Sequence, residues 1–204
     1  MAPGILLVVA SAVGLLSCAG PATQVLNLHY RPLEEPKAPS AFVVGLAPFQ
    51  DARSNPQSIG RRTRMDGAVE QIVLGSQSPP QEITYILIRY LEAKGVRVMD
   101  LPSWKGDPDS LKNLPKDIRL AIAGRVDALE VEATSSLTTS VRYRVRLTIH
   151  LGSVDKGEVL TRSVELSPLR TTFQFDIREV EDELNRTLME AIGRLLEGFL
   201  PTAS

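Results

Sequence analysis

Residues 140–152 read SVRYRVRLTIHLG, and their alternation decides the fold. Val141, Tyr143, Val145, Leu147, Ile149 and Leu151 share one parity, while Arg142, Arg144, Arg146, Thr148 and His150 take the other. Successive side chains on a strand point to opposite faces, so this segment is a strand with one dry and one wet face. Residues 158–169 hold its partner. Between them Val154-Asp155-Lys156-Gly157 forms the turn, with Gly157 able to take the left-handed conformation that ends a four-residue loop. Placing Ser153 opposite Glu158 sets Leu151 against Leu160, Leu147 against Val164 and Val145 against Leu166 on the buried face. The outer face then pairs Arg146 with Glu165 and Arg144 with Ser167. A slip of one residue would bury Glu165 opposite Leu147, so the register is strongly specified.

Two helices accompany this hairpin. Ser78 is positioned as an N-cap, Pro79 suits the first helical position and Gln81 completes a capping box. Ile83, Ile86, Leu87, Tyr90 and Leu91 then share one helical face, and Gly95 ends the segment. The last helix opens on a capping box of Asp176 and Glu179 and buries Ile177, Val180, Leu184, Leu188, Ile192, Leu195 and Phe199. Residues 41–49 (AFVVGLAPF) read as a buried strand, 50–60 as a loop of turn residues, and 69–74 and 96–101 as further strands. Residues 102–115 form a polar loop whose Trp104 covers a core edge. Ile118, Leu120 and Ile122 alternate, and the parity slips between Val126 and Leu129, which places a bulge near Gly124. The expected class is α+β: a single mixed, mainly antiparallel sheet with two amphipathic helices packed on one face and the other face polar and exposed.

At the N-terminus, residues 5–16 (ILLVVASAVGLL) form an uncharged apolar run. A membrane-spanning helix needs about 20 such residues and a signal-peptide core roughly 7 to 15, so this run belongs to the second class. Leu15-Leu16-Ser17-Cys18 follows and resembles the bacterial lipobox. That resemblance implies a diacylglyceryl group on the Cys18 thiol and cleavage just before it. Cys18 is the one cysteine in the chain, so no internal disulfide can form. One acyl chain binds a bilayer marginally, whereas two or three hold firmly. The chain therefore divides into a signal peptide (1–17), a lipidated cysteine with a Pro-rich tether (18–40) and one periplasmic domain (41–201). Extended at about 3 Å per residue, the tether would reach up to roughly 60 Å. Leu26, Leu28 and Tyr30 alternate within it, compatible with a short edge strand. Ala19 stands where an aspartate retains enterobacterial lipoproteins on the inner membrane, which by analogy favours the outer membrane.

The formal net charge is −1, and residues 1–17 carry no charged side chain. That balance argues against bulk electrostatic binding to nucleic acid. His29 and His150 are far apart and neither has a second ligand at metal spacing, so no metal and no cofactor are expected. Neither a G-x-S-x-G elbow nor a P-loop nor a dinucleotide fingerprint occurs. Glu130 and Glu132, or Glu179, Glu181, Asp182 and Glu183, could pair as acid and base, but a solvated helix start accounts for the second group. The expectation is a protein that is not an enzyme. Its candidate partner site is Arg53, Arg61, Arg62 and Arg64, crowded beyond the first strand where an anionic headgroup, a glycan carboxylate or an acidic partner could sit; the alternative is a solvated loop. The stripe Arg142, Arg144, Arg146 ranks below it as an ordinary exposed sheet face.

The segments Asn27-Leu28-His29-Tyr30-Arg31-Pro32, Asp51-Ala52-Arg53, Ile59-Gly60 and Val141-Arg142-Tyr143, with the closing helix, resemble the YajG family of bacterial envelope lipoproteins. The chain departs from that pattern in the arginines after Gly60 and in a longer Pro-containing insert before Ile118. The resemblance implies class and compartment, an envelope lipoprotein anchored through Cys18, and nothing about mechanism. The leading expectation for function is a binding or assembly module facing the periplasm that contacts an envelope protein or polymer. A second class is an auxiliary lipoprotein of a lipid or lipopolysaccharide transport system, which needs an apolar groove or a tight complex with a transporter. A hydrolase would need a carboxylate pair meeting in a cleft.

Overall fold

A computed structural model describes residues 22–32, 35–75, 78–102 and 104–200. The apolar run, the cleavage site and Cys18 lie outside the described residues. In chain order the strands are β1 Thr23–Leu26, β2 Val43–Leu46, β3 Gln50–Asp51, β4 Gly60–Thr63, β5 Val69–Leu74, β6 Arg97–Asp100, β7 Leu120–Ser135, β8 Thr139–Ser153, β9 Glu158–Leu166 and β10 Leu169–Thr172. The helices are α1 Pro79–Ala93, α2 Pro108–Leu111 and α3 Ile177–Leu196.

The spine of the sheet is β7, whose one edge pairs with β8 from end to end. Along its other edge β2, β3 and β4 follow one another, all parallel to it. β6 lies parallel to β2, β5 antiparallel to β4, and β1 parallel to β5. The sheet is therefore mixed, and the expectation of a mainly antiparallel one is corrected: among the described residues five of the nine strand pairings are parallel. The reason is that residues 43–63 run along β7 in its own direction as one interrupted strand. The interruptions fall at Pro48, which has no N–H to donate, and in the turn-rich segment before Gly60. Residues 60–63, expected as the continuation of a loop, form β4.

The hairpin of β8 and β9 has the expected register, with Leu151 opposite Leu160, Leu147 opposite Val164, Val145 opposite Leu166 and Ser153 opposite Glu158. Gly157 takes φ +68°, and its N–H bonds the Ser153 carbonyl at 2.9 Å. β10 continues the same register past Pro168, whose carbonyl accepts from the Tyr143 N–H. Burial departs from expectation along β9: Val164 and Leu166 are only partly buried and Leu160 is 47 % exposed. β9 is the edge strand there, and α3 ends level with Arg162, so no helix extends over Leu160.

The bulge in β7 falls at Asp127, three residues beyond the expected site, between Val126 and Ala128. It keeps one face dry: Leu120, Ile122 and Val126 precede it and Leu129, Val131 and Ala133 follow, all in the larger core with α1 and α3. The opposite face is not uniformly wet. Val43, Ala47, Ala121 and Ala123 meet Leu101, Trp104, Leu111 and Ile118 in a second, smaller core. Among the described residues three helices rather than two thus serve the sheet, and α2 closes the second core with Leu111. Trp104 is buried there and donates its Nε1–H to the Asp107 carbonyl at 3.2 Å.

Capping is half as expected. Asp176 accepts from the Arg178 N–H at 2.8 Å at the start of α3. Ser78 precedes α1 with extended backbone but makes no side-chain cap. Gly95, at φ +78°, ends α1 with its N–H on the Glu92 carbonyl. The described part of the expected tether is tied to the domain. Leu26 and Leu28 join the larger core, the Asn27 N–H bonds Glu181 at 2.8 Å, and the Lys37 N–H bonds the Ala93 carbonyl at 2.9 Å. Among the described residues no helix is long and apolar enough to cross a membrane.

Candidate binding surfaces

The four arginines beyond β2 do not converge. Arg53 lies almost wholly inside its loop, holding Asp51 and donating to the Pro56 and Ser58 carbonyls. Its hydrogen bonds keep the Asp51 carboxyl below the usual carboxylate range. Arg61 and Arg62 sit at successive positions of β4 and so point to opposite faces. Arg61 meets Glu132 at 3.4 Å; Arg62 meets Glu70 at 3.2 Å and stacks on the Phe175 ring at 4.2 Å. Arg64 reaches Asp66 at 3.3 Å and Glu70 at 3.6 Å. Arg53 and Arg61 border one depression of about 330 Å³, with Glu130 and Glu132, while Arg62 and Arg64 border another. Each guanidinium already has a carboxylate, so the surface is close to charge-balanced rather than an anion cradle.

On the outer face of β8, Arg146 is opposite Glu165 as expected. The shorter contact, however, runs diagonally: the Arg144 Nε donates to Glu165 at 2.8 Å, whereas Arg146 stays at 3.8 Å. Glu130 flanks Arg144 from β7 at 3.7 Å. The other acidic groups are similarly engaged, Glu183 between Arg170 at 2.9 Å and Arg186 at 2.7 Å. His29 lies against Asn185, and His150 bonds Thr161 at 2.8 Å on a different part of the molecule. Among the described residues no three His, Cys, Asp or Glu side chains gather in a set that could hold a metal ion.

A groove invisible in the linear sequence lies between the C-terminal ends of α1 and α3. It encloses about 540 Å³, with Tyr30, Tyr90, Met189, Gly193, Leu196 and Leu200 among its lining. Ala93 and Gly193 are also in its lining, and their small size leaves its space unfilled. Lys37, Lys94, Glu190, Arg194 and Glu197 supply the ionisable side chains of its lining. Arg194 pairs with Glu190, and the Lys94 ammonium lies 5.7 Å from the Tyr90 ring. Through Tyr30 and Ala93 the groove adjoins a second depression of about 540 Å³ beside Leu28, His29 and Tyr85. Three distant segments build this surface, and none has a local signature. The observable hint was Tyr90 on the edge of the α1 apolar face and Gly193 within a helical run.

Near its mouth Arg162 departs from the apolar pattern of β9. It donates to the carbonyls of Leu195 at 3.4 Å and Glu197 at 2.8 Å and stacks on Phe199 at 4.5 Å, capping α3. Tyr143 at the core has its hydroxyl pKa pushed up to about 12, first by burial and then by the charge of Glu183.

No protein-family model matches the chain, and no curated protein sequence does. Solved structures do. A protein of the DUF330 family from Xanthomonas campestris is similar at a TM-score of 0.55 and 14 % identity, over 85 % of this chain and 92 % of that one. A homolog of a neuraminyllactose-binding hemagglutinin from Helicobacter pylori matches at 0.46 and 15 % identity, over 85 % and 93 %. A lipoprotein from Neisseria meningitidis matches at 0.38 and 10 % identity, over 75 % and 99 %. The first of these shares the fold; at such identity the likeness carries nothing about ligand or reaction.

Proposed function

We propose that the chain is a lipid-anchored protein of the bacterial cell envelope, held through acylated Cys18 and facing the periplasm as a binding or assembly module. The observation that carries this reading is the apolar run 5–16 closing on Leu15-Leu16-Ser17-Cys18. The resemblance to the YajG family belongs to the same reading, as does the preference for the outer membrane drawn from Ala19. The partner is an envelope protein or polymer, and the role is binding rather than catalysis. Mass spectrometry of the membrane-bound protein tests the anchor: an acylated N-terminal Cys18 is expected, and an unmodified chain starting at Met1 would overturn it.

The groove between α1 and α3 favours a second reading, an auxiliary lipoprotein of a lipid or lipopolysaccharide transport system. An apolar trough with charges in its lining suits an amphipathic chain. A photo-crosslinker at Gly193 in intact cells separates the two. Adducts with acyl lipid or with subunits of a membrane transporter support transport, while adducts with other envelope proteins or a polymer support assembly.

A further inference from the structure

Three loop tips leave the sheet side by side. Thr63 pairs with Val69 and Thr134, Thr134 with Ser140, and Thr139 with Thr172. These pairings put the β4–β5, β7–β8 and β10–α3 connections at one end of the molecule. Each connection holds a large apolar side chain out in solvent: Met65 is 76 % exposed, Leu137 94 % and Phe173 94 %. Met65 and Phe173 border the same depression together with Ser136. Scattered apolar residues are ordinary on a surface, but three at the tips of adjacent loops make a cluster of the kind that marks an interaction site.

The chain joins the fold at this same end. β1 runs parallel to β5, and Thr23 sits opposite Gln71, two residues beyond Val69. The N-terminal end of β1 therefore lies toward the Met65 loop. Cys18 is only five residues earlier, a reach of at most about 18 Å even when fully extended.

We propose that this end rests on the membrane, with Met65, Leu137 and Phe173 entering the interfacial layer of the bilayer. The inference rests on the anchoring of Cys18 proposed above. A short linker holds the tips within reach of the lipid surface, whereas the roughly 60 Å spacer would not. The contact is apolar rather than electrostatic, because Arg62 and Arg64 beside the tips are matched by Glu70 and Asp66. A depth of about 5–10 Å, typical of interfacial insertion, accommodates all three side chains. The opposite end, the turn carrying Asp155, then projects into the periplasm about 45 Å away along β8.

The test uses the mature, membrane-extracted protein in phosphatidylethanolamine–phosphatidylglycerol vesicles. A fluorophore is attached through Leu137→Cys in one preparation and Asp155→Cys in another, and lipid-borne spin labels act as quenchers. Mass spectrometry reports acylation of Cys18 in the same samples. Quenching at Leu137 at least about threefold stronger than at Asp155 is expected for interfacial insertion. In a second variant, Met65→Ser with Phe173→Ser, that excess should fall while the protein stays membrane-bound. Acylated protein with equal quenching at both sites overturns the proposal and leaves the anchor standing. Unacylated protein still quenched selectively at Leu137 supports the tip contact and removes the anchor. A blue-shifted probe without lipid quenching overturns it in favour of burial against a second copy of the chain.

Discussion

Arg53 grips Asp51 through two hydrogen bonds of 2.9 Å, Nε to Oδ1 and Nη2 to Oδ2, while only 4 % of the arginine side chain meets solvent. Its further bonds to the Pro56 and Ser58 carbonyls close the loop between β3 and β4. A guanidinium this deep depends on its carboxylate. Asp51→Ala is expected to destabilise the fold by about 1–2 kcal/mol in urea unfolding, because it removes two charge-assisted hydrogen bonds at the loop. The hydrogen bonds from Arg53 lower the Asp51 pKa, so its stabilisation is present above the ordinary carboxylate range and is lost as pH falls through the folded value. Asp51→Ala should therefore flatten the acid limb of the stability profile.

Tyr143 governs the alkaline side. Its pKa is raised to about 12, so the neutral phenol is favoured in the folded state. The resulting stabilisation is complete below about pH 10 and is lost as pH rises from there toward 12. Tyr143→Phe should remove this loss, which a thermal melt series across that interval would reveal.

Two glycines predict opposite signs. A Cβ at Gly60 would overlap the Val131 backbone carbonyl on β7, where nothing can give way cheaply. Gly60→Ala is expected to cost about 3 kcal/mol or more by overpacking. Gly193 lies within α3, and its added Cβ would meet only the Tyr90 hydroxyl at an ordinary 3.7 Å. Gly193→Ala should stabilise by about 0.5–1 kcal/mol through reduced backbone entropy of the unfolded chain. Denaturation midpoints of both variants check the pair.

Arg162 closes the end of α3 by bonding the carbonyls of Leu195 and Glu197 and lying over Phe199. Helix-end cations and exposed cation–π contacts each contribute about 0.5–1 kcal/mol, so Arg162→Ala should lose about 1–2 kcal/mol. Hydrogen exchange should quicken at the last turn of α3 first. Unchanged exchange there would show that the cap does not act.

Much of this was legible where local chemistry and tertiary demand agree. Val145, Leu147, Ile149 and Leu151 alternate with Arg144, Arg146, Thr148 and His150, so a single register of β8 against β9 turns the apolar set to one face. Ile83, Ile86, Leu87 and Leu91 mark α1 for the same reason at helical spacing. The parity slip between Val126 and Leu129 announced the bulge, although Asp127 rather than Gly124 carries it. Legibility failed at β4, where Arg61 and Arg62 offer no dry face and pairing with β7 supplies the reason to be extended. At residues 23–28 it was partial: the alternation of Leu26 and Leu28 pointed to a short edge strand, which β1 Thr23–Leu26 is, but the prolines suggested a spacer although Leu26 and Leu28 are buried.

By itself the sequence determined the α+β class, the long hairpin and its register, and both major helices. These follow from period and parity, which act between residues near one another in the chain or joined by a tight turn. Only the tertiary structure decided that β2, β3 and β4 line up along one edge of β7 and that a second core forms around Trp104. It also decided that Arg53, Arg61, Arg62 and Arg64 disperse onto separate carboxylates, that α1 and α3 leave a groove between them, and that Met65, Leu137 and Phe173 share one end with the incoming chain. Parallel pairing and loop clustering join segments tens of residues apart, so their free energy lies in contacts that no local window contains.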